Sequence, residues 1–418
     1  MPDARFRLAV WLGGRHLADL DDVGGDRLRL TYTPDAVREG ALFVSAALPV
    51  RSAHYPPGAV APYLEGLLPE GEMRTRIEQR FGVRRGHVFG LLRAIGRDCA
   101  GAVALLPPGE TPTDSLAEAE PLDDERLAAE VASLGTAPLG VDAHVRLSLA
   151  GLQDKLLVAR LPDGRWARPV DGAPSTHILK PEPARFPGLA RLEAFGLAVA
   201  RELGMTVADA DVVEVAGRPV LAVSRFDRRV GEDGRVLRIH QEDFCQALGR
   251  SPVAKYQADG GPGFVDAAFA LRAVSSEPPV DLVRLLHAAV LTVLIGNADA
   301  HARNFSMAYR SPRDRRLAPL YDLVPTTLLT VRPGEAPLSS SLAMSVNGVW
   351  EVDAVTGADL LAEARTWRMP APVASGEIER MLHGAGQAVD RAAAAVGDVP
   401  ADVVRRTRDR AKELLGSL

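Results

Sequence analysis

Cysteine is almost missing from these 418 residues: Cys99 and Cys245 stand far apart, each in an apolar setting, with no CxxC spacing. That excludes a disulfide framework and a thiolate-held metal centre, and it fits the reducing cytoplasm, the expected location. A basic excess is missing too. The formal net charge is −5, so no global field draws nucleic acid, and the locally basic "VVRRTRDRAKELL" is expected as a solvated helix face. No apolar run is expected to reach the uninterrupted length of a membrane span. The opening "MPDARFRLAVWLGGRHLADL" breaks at Gly13 to His16 and has no small-residue cleavage site, so it reads as two strands around a turn, not a leader. Neither GxGxxG nor GxxxxGK[ST] occurs, and there is no internal repeat.

What is present is globular: 47% hydrophobic and 25% charged residues, enough for two or three domains with their own cores. "FRLAVWL", "LRLTYTP" and "ALFVSAALP" alternate like half-buried strands, and helical spacing follows in "APYLEGLLPEGEMRTRIEQRFG" and "HVFGLLRAIG". A mixed α/β unit over 1–106 is the reading. Residues 107–125, rich in proline and acidic side chains with no evident buried face, are the expected linker. Residues 126–244 are strand-rich, with a hairpin turning at Ala216 to Arg218, and 245–418 are chiefly helical.

The chemistry concentrates in "IGNADAHARNF", where Asp299 and Asn304 follow the apolar run "LLHAAVLTVL". D-x4-N is the spacing of phosphotransferase catalytic loops, in which the Asp takes the acceptor hydroxyl proton and the Asn carbonyl holds magnesium. Asp322, in "LAPLYDLVP", supplies a second acid, and a carboxylate beside an amide oxygen suits this hard cation. Lys180, closing the strand "THILKPE", can neutralise nucleotide phosphates, with Glu193 on the next helix to orient it. Ser148, Ala150, Gly151 and Gln153 form a small-residue turn suited to close approach of phosphate. Turn and cap chemistry remains the alternative for Asn297, Asp299 and Asn304, and a solvated surface pair for Lys180 and Glu193. His301 lacks the further histidines of a metal-dependent hydrolase.

"RLSLAGLQDKLL", "THILKPE", "SRFDR", "HQEDFCQALG", "KYQADGGPG", "GNADAHARNFS" and "LAPLYDLVPT", in this order, resemble the HipA family of bacterial serine/threonine kinases, toxins of type II toxin–antitoxin pairs. "YLEGLLPEGEMRTRI" and "GRDCAGAVALLP" are similar to that family's N-terminal subdomain. The resemblance implies an α+β, two-lobed protein-kinase-like fold: a β-rich N-lobe with an extra N-terminal α/β subdomain, and an all-helical C-lobe.

It also implies ATP and Mg2+ as cofactors, with Asp299 as catalytic base and Asn304 and Asp322 as magnesium ligands. The nucleotide would meet Ala150, Gly151, Leu152, Gln153, Asp154 and Lys155 as phosphate loop, Lys180, and the hinge residues Glu242, Asp243 and Phe244. From the other side would come His301, Ala302, Arg303, Asn304, Tyr321 and Asp322. Ser148 stands where the family autophosphorylates to silence itself. The implied partners are a HipB-like helix-turn-helix antitoxin, operator DNA through that partner, and a protein substrate. That substrate is an aminoacyl-tRNA synthetase, glutamyl-tRNA synthetase first, whose modification stops translation and brings on dormancy. Two rivals stand beside this: a small-molecule phosphotransferase of the aminoglycoside or choline kinase type, and a non-catalytic pseudokinase co-repressor.

Overall fold

A computed structural model describes residues 6–40, 42–134, 155–329 and 338–418. The first sheet has the order β3-β2-β1-β4, with β1 (Arg7–Leu12), β2 (Arg15–Asp22), β3 (Leu28–Tyr32) and β4 (Val103–Leu106). Its strands are antiparallel, and β1 turns into β2 at Gly13 and Gly14. Leu8, Val10, Leu20 and Leu30 from the strands meet Leu64, Ile77 and Leu92 from the intervening helices in one core, so the alternation read from the sequence points one face inward.

A six-stranded sheet follows, ordered β5-β7-β6-β8-β10-β9. Its members are β5 (Glu120–Pro121), β6 (Leu156–Arg160), β7 (Trp166–Arg168), β8 (His177–Pro181), β9 (Ala210–Val215) and β10 (Arg218–Ser224). The β9–β10 hairpin turns at Ala216 and Gly217, as expected. The supposed linker is different. Leu116, Ala119 and Leu122 are buried, β5 pairs with β7, and the helix Asp124–Ser133 begins inside the segment. Three apolar side chains at three-residue intervals among prolines and acids were enough to lay it on the sheet, a pattern too sparse to register as a buried face.

The second half is not all helical. Next to the hairpin β11 (Arg228–Val230) and β12 (Val236–Arg238) lies an antiparallel sheet of β13 (His240–Asp243), β14 (Ser306–Ser311) and β15 (Asp314–Leu317); β16 (Ser341–Val346) pairs with β17 (Val349–Glu351). Met307 and Tyr309 from β14 and Leu342 and Met344 from β16 enter the largest core. Helices still dominate this half. Pro278–Ile295 starts on prolines in its first turn and stops at Gly296 in the left-handed conformation. This helix also amends the expectation about apolar length, since it is long and apolar enough by composition to cross a membrane. Leu285, Leu286, Leu291 and Leu294 are buried in the core, which accounts for its character without a bilayer.

The helix Leu189–Glu202 packs against the helix Ala371–Val396 on one side and β10 on another. A Cβ on its Gly196 would stand 1.9 Å from the Leu323 carbonyl oxygen. Only glycine allows the backbone next to Asp322 to come this close to the helix that carries Glu193.

Candidate active site

A cavity of about 780 Å³ opens between the six-stranded sheet and the polar loop after the Pro278–Ile295 helix, within the usual range for a ligand pocket. Lys180 sits on β8, hydrogen-bonded between β6 and β10, and its side chain is almost fully buried. Its ammonium lies 2.8 Å from Glu193 Oε1 and pairs with the Asp322 carboxylate as well. Burial opposes the charge, but Asp322 and Glu193 together outweigh it and raise the lysine above its ordinary value. Glu193 is pushed up by burial, against the pull of Lys180, and Asp322 is held low, against burial, by Lys180 and Lys155. Lys155 itself is brought down to about 8 by burial, with Asp322 opposing. Two buried lysines and two carboxylates therefore face one end of the cavity, a setting matched to phosphate oxygens and a cation.

Asp322 has φ of 53°, a left-handed conformation uncommon for a residue with a Cβ. Its carbonyl accepts from Asn297 Nδ2 at 3.2 Å. Asn297, expected only to shape a turn, thus ties the two loops together. The Asn304 amide nitrogen donates to the Asp299 carbonyl at 3.0 Å, which leaves its side-chain oxygen available to a cation. Among the described residues no group of three or more His, Cys, Asp or Glu side chains has metal-binding geometry. Asn304 and Asp322 offer hard oxygens only, which fits magnesium completed by substrate phosphates and water, and does not fit zinc. Asp299 is exposed at the cavity, and the Tyr256 hydroxyl donates to its Oδ1 at 2.9 Å. His301 lies edge-on to the Tyr256 ring, and burial lowers its pKa, which favours the neutral imidazole.

The hinge candidates divide. Glu242 accepts from the Ala46 amide at 2.9 Å and from the Tyr309 hydroxyl, and Asp243 caps the helical turn Phe244–Ala247 while accepting from Arg303 Nε at 3.0 Å. Their side chains are structural. Phe244 and Ala302 do not line the cavity: both are buried in the core, and the Phe244 amide is already bonded to the Phe305 carbonyl. Tyr321 stacks on Phe226 at the wall and donates to the Arg303 carbonyl at 2.9 Å. Ser148 and the expected phosphate-loop residues Ala150 to Asp154 lie outside the described residues. Sequence reasoning missed Glu70, Lys255 and Tyr256 as cavity residues. "LLPEGEMR" and "KYQADGGPG" were visible as motifs, but no spacing links them to Asp299.

Glu242 carries a pH prediction. Burial pushes it up to about 7, against the pull of its hydrogen bonds. An acid whose value rises on folding stabilises most below its unfolded value, and that contribution is lost as pH climbs through the folded one. The melting temperature of Glu242→Gln relative to the parent is therefore expected to rise between pH 5 and pH 8, by on the order of a few degrees. A pH-independent difference in thermal melts would count against a buried, protonatable Glu242.

Comparison with known proteins follows the same residues. A family model described as the HipA-like C-terminal domain matches residues 147–395, and one described as the HipA N-terminal domain matches 8–106. The chain belongs to the HipA family. Y4mE of Sinorhizobium fredii is 42% identical over 326 residues, 76% of this chain and 77% of that one. The serine/threonine-protein kinase toxin HipA of Shewanella oneidensis is 29% identical over 396 residues, covering 91% and 88%. The solved structure of that organism's HipA with HipB and operator DNA aligns with a TM-score of 0.81 at 28% identity, over 98% of this chain and 96% of that one. The HipA relationship thus spans the N-terminal domain, both large sheets and the helical part, and it supports a mixed α/β kinase.

Proposed function

We propose that this HipA-family protein transfers the γ-phosphoryl group of ATP to a serine or threonine hydroxyl of a protein, in a two-lobed kinase arrangement with the cavity as the interlobe cleft. The observation that carries this is the convergence of the Lys180–Glu193 pair, Asp322 and the Asp299–Asn304 loop on one cavity. Asp299 would accept the proton of the attacking hydroxyl, and Lys180 with Lys155 would neutralise the nucleotide phosphates. The backbone of Glu242 and Asp243 would serve adenine, since their side chains are engaged elsewhere. Asn304 and Asp322 would hold Mg2+, which neutralises charge on the phosphates during transfer. Positioning and fixed charge carry most of such a reaction.

The toxin role extends this reading. An aminoacyl-tRNA synthetase, glutamyl-tRNA synthetase first, is the proposed target, and a HipB-like antitoxin the partner that would bring the protein to operator DNA; the Shewanella structure holds HipA, HipB and operator DNA in one complex. Phosphorylation of Ser148 would add about −1.5 to −2 charges and silence the kinase. Incubated with Mg·ATP alone, the purified protein is expected to gain one phosphate, mapped to Ser148 by mass spectrometry. Turnover of choline or an aminoglycoside, with Ser148 unmodified, would favour the small-molecule phosphotransferase instead.

A further inference from the structure

Glu70 belongs to the N-terminal domain, at the N-cap position of the helix Gly71–Arg80, yet its carboxylate reaches two cations of the other part of the chain. Oε1 pairs with Arg303 of the catalytic loop, and Oε2 lies 3.1 Å from Lys255 Nζ. Both cations are buried and charged in a setting that disfavours charge: burial lowers each of them. The neighbouring Gly66 carbonyl accepts from Arg303 Nη2 at 3.0 Å, so the domain grips this guanidinium twice.

The two contacts converge on one atom group. Arg303 precedes Asn304, whose side chain holds the Asp299 carbonyl; Lys255 precedes Tyr256, whose hydroxyl holds Asp299 Oδ1. We propose that Glu70 is a positioning residue through which the N-terminal domain fixes the catalytic loop, from the Arg303–Asn304 side and the Lys255–Tyr256 side together. The domain is then part of the catalytic machinery, and anything that displaces it disarms Asp299. A partly buried carboxylate between two buried cations is costly to remove, because Lys255 loses this ion pair and Arg303 is left with Asp243. The function assigned to the loop rests on the kinase reading above, but the positioning itself does not.

The test combines hydrogen exchange with kinetics on the full chain. In Glu70→Gln, amides of 299–305 are expected to exchange about tenfold faster or more, while protection in β1 and β4 stays at the parental level. With a protein substrate, kcat falls by about tenfold to a hundredfold, as for a catalytic group moved by an ångström, and KM for ATP stays within about threefold. Glu70→Asp, which keeps the charge, recovers part of the loop protection. If Glu70→Gln also loses protection in β1 and β4, Glu70→Asp is compared with the parent instead. Intermediate loop protection over an intact sheet then supports the positioning. Parental exchange at 299–305 in both variants overturns it, whatever the activity. Faster loop exchange in a protein whose parent transfers no phosphate leaves the positioning standing and removes the kinase reading.

Discussion

Asp299→Gln is expected to lower phosphoryl transfer by about 10² to 10⁴, the range a positioned general base supplies, and to leave Mg·ATP binding close to the parent's. The first half follows from geometry. Asp299 is the exposed carboxylate of its loop, held at its carbonyl by Asn304 and at Oδ1 by Tyr256, and it lines the cavity. The second half follows from the division of labour. Lys180, Glu193 and Asp322 form their own ion group at the end of the cavity proposed to hold the phosphates, and none of their hydrogen bonds or ion pairs runs through the Asp299 carboxylate. Glutamine keeps an acceptor for Tyr256 but cannot take a proton from a hydroxyl. Stopped-assay kinetics together with a thermal shift on Mg·ATP separate the two quantities, and a variant with parental kcat would refute the assignment of Asp299.

Asp98→Asn is expected to cost about 3 to 5 kcal/mol of stability, the usual range when one partner of a buried ion pair is removed. Asp98 is fully buried and faces three arginines: Arg228 at 2.8 Å, Arg238 at 3.1 Å and Arg225 at 3.4 Å. Ser175 donates to the same carboxylate through its amide and hydroxyl, at 3.0 and 2.7 Å. Asp227 is the second anion, doubly bonded by Arg225 at 2.9 and 2.8 Å. Three guanidinium groups share two carboxylates, so losing Asp98 leaves a cationic cluster in the interior with one counter-charge. Both aspartates are held well below the ordinary range, because the arginines outweigh the opposing effect of burial. Their stabilisation is present above the unfolded carboxyl value and disappears as pH falls through the lowered one, so it operates fully at neutral pH. Denaturant or thermal unfolding measures the loss; a change under about 1 kcal/mol would mean the cluster is solvated.

This cluster is also a seam. Asp98 and Cys99 come from the end of the N-terminal domain, and Arg225 and Arg228 donate to the Cys99 carbonyl, each at 2.9 Å. Gly101, at φ of 75°, brings the chain against β13, where a Cβ would stand 2.7 Å from the Gln241 nitrogen. The N-terminal domain is bonded to the segment proposed to meet adenine, through the Ala46 amide on Glu242, and, through Glu70, to the Asp299–Asn304 loop.

Local chemistry was legible in the sequence, and chemistry between distant segments was not. Asp299 and Asn304 sit in one short loop, and Lys180 and Glu193 on a strand and the next helix, so spacing alone suggested that each pair works together; the structure places all four with Asp322 around one cavity. Asp98 with Arg228, and Glu70 with Arg303, are separated by 130 and more residues, and nothing in a periodicity connects them. "SRFDR" was recognisable as a motif, but its reason, a buried ion cluster, appears only once the first sheet and the second meet. The 23 positions from Asp299 to Asp322 suit a β-ribbon, and β14 with β15 is that ribbon. The misread linker and the unexpected strands β16 and β17 share a cause: short segments buried by long-range packing show too few residues for a pattern to emerge.

The most direct test of the kinase account is phosphosite mapping of a cell lysate incubated with Mg·ATP and either the parent protein or Asp299→Gln. The account predicts new phosphoserine or phosphothreonine on at least one protein with the parent, and loss of those sites with the variant. Identical phosphosites in both, or none with a parent that demonstrably binds Mg·ATP, would contradict it.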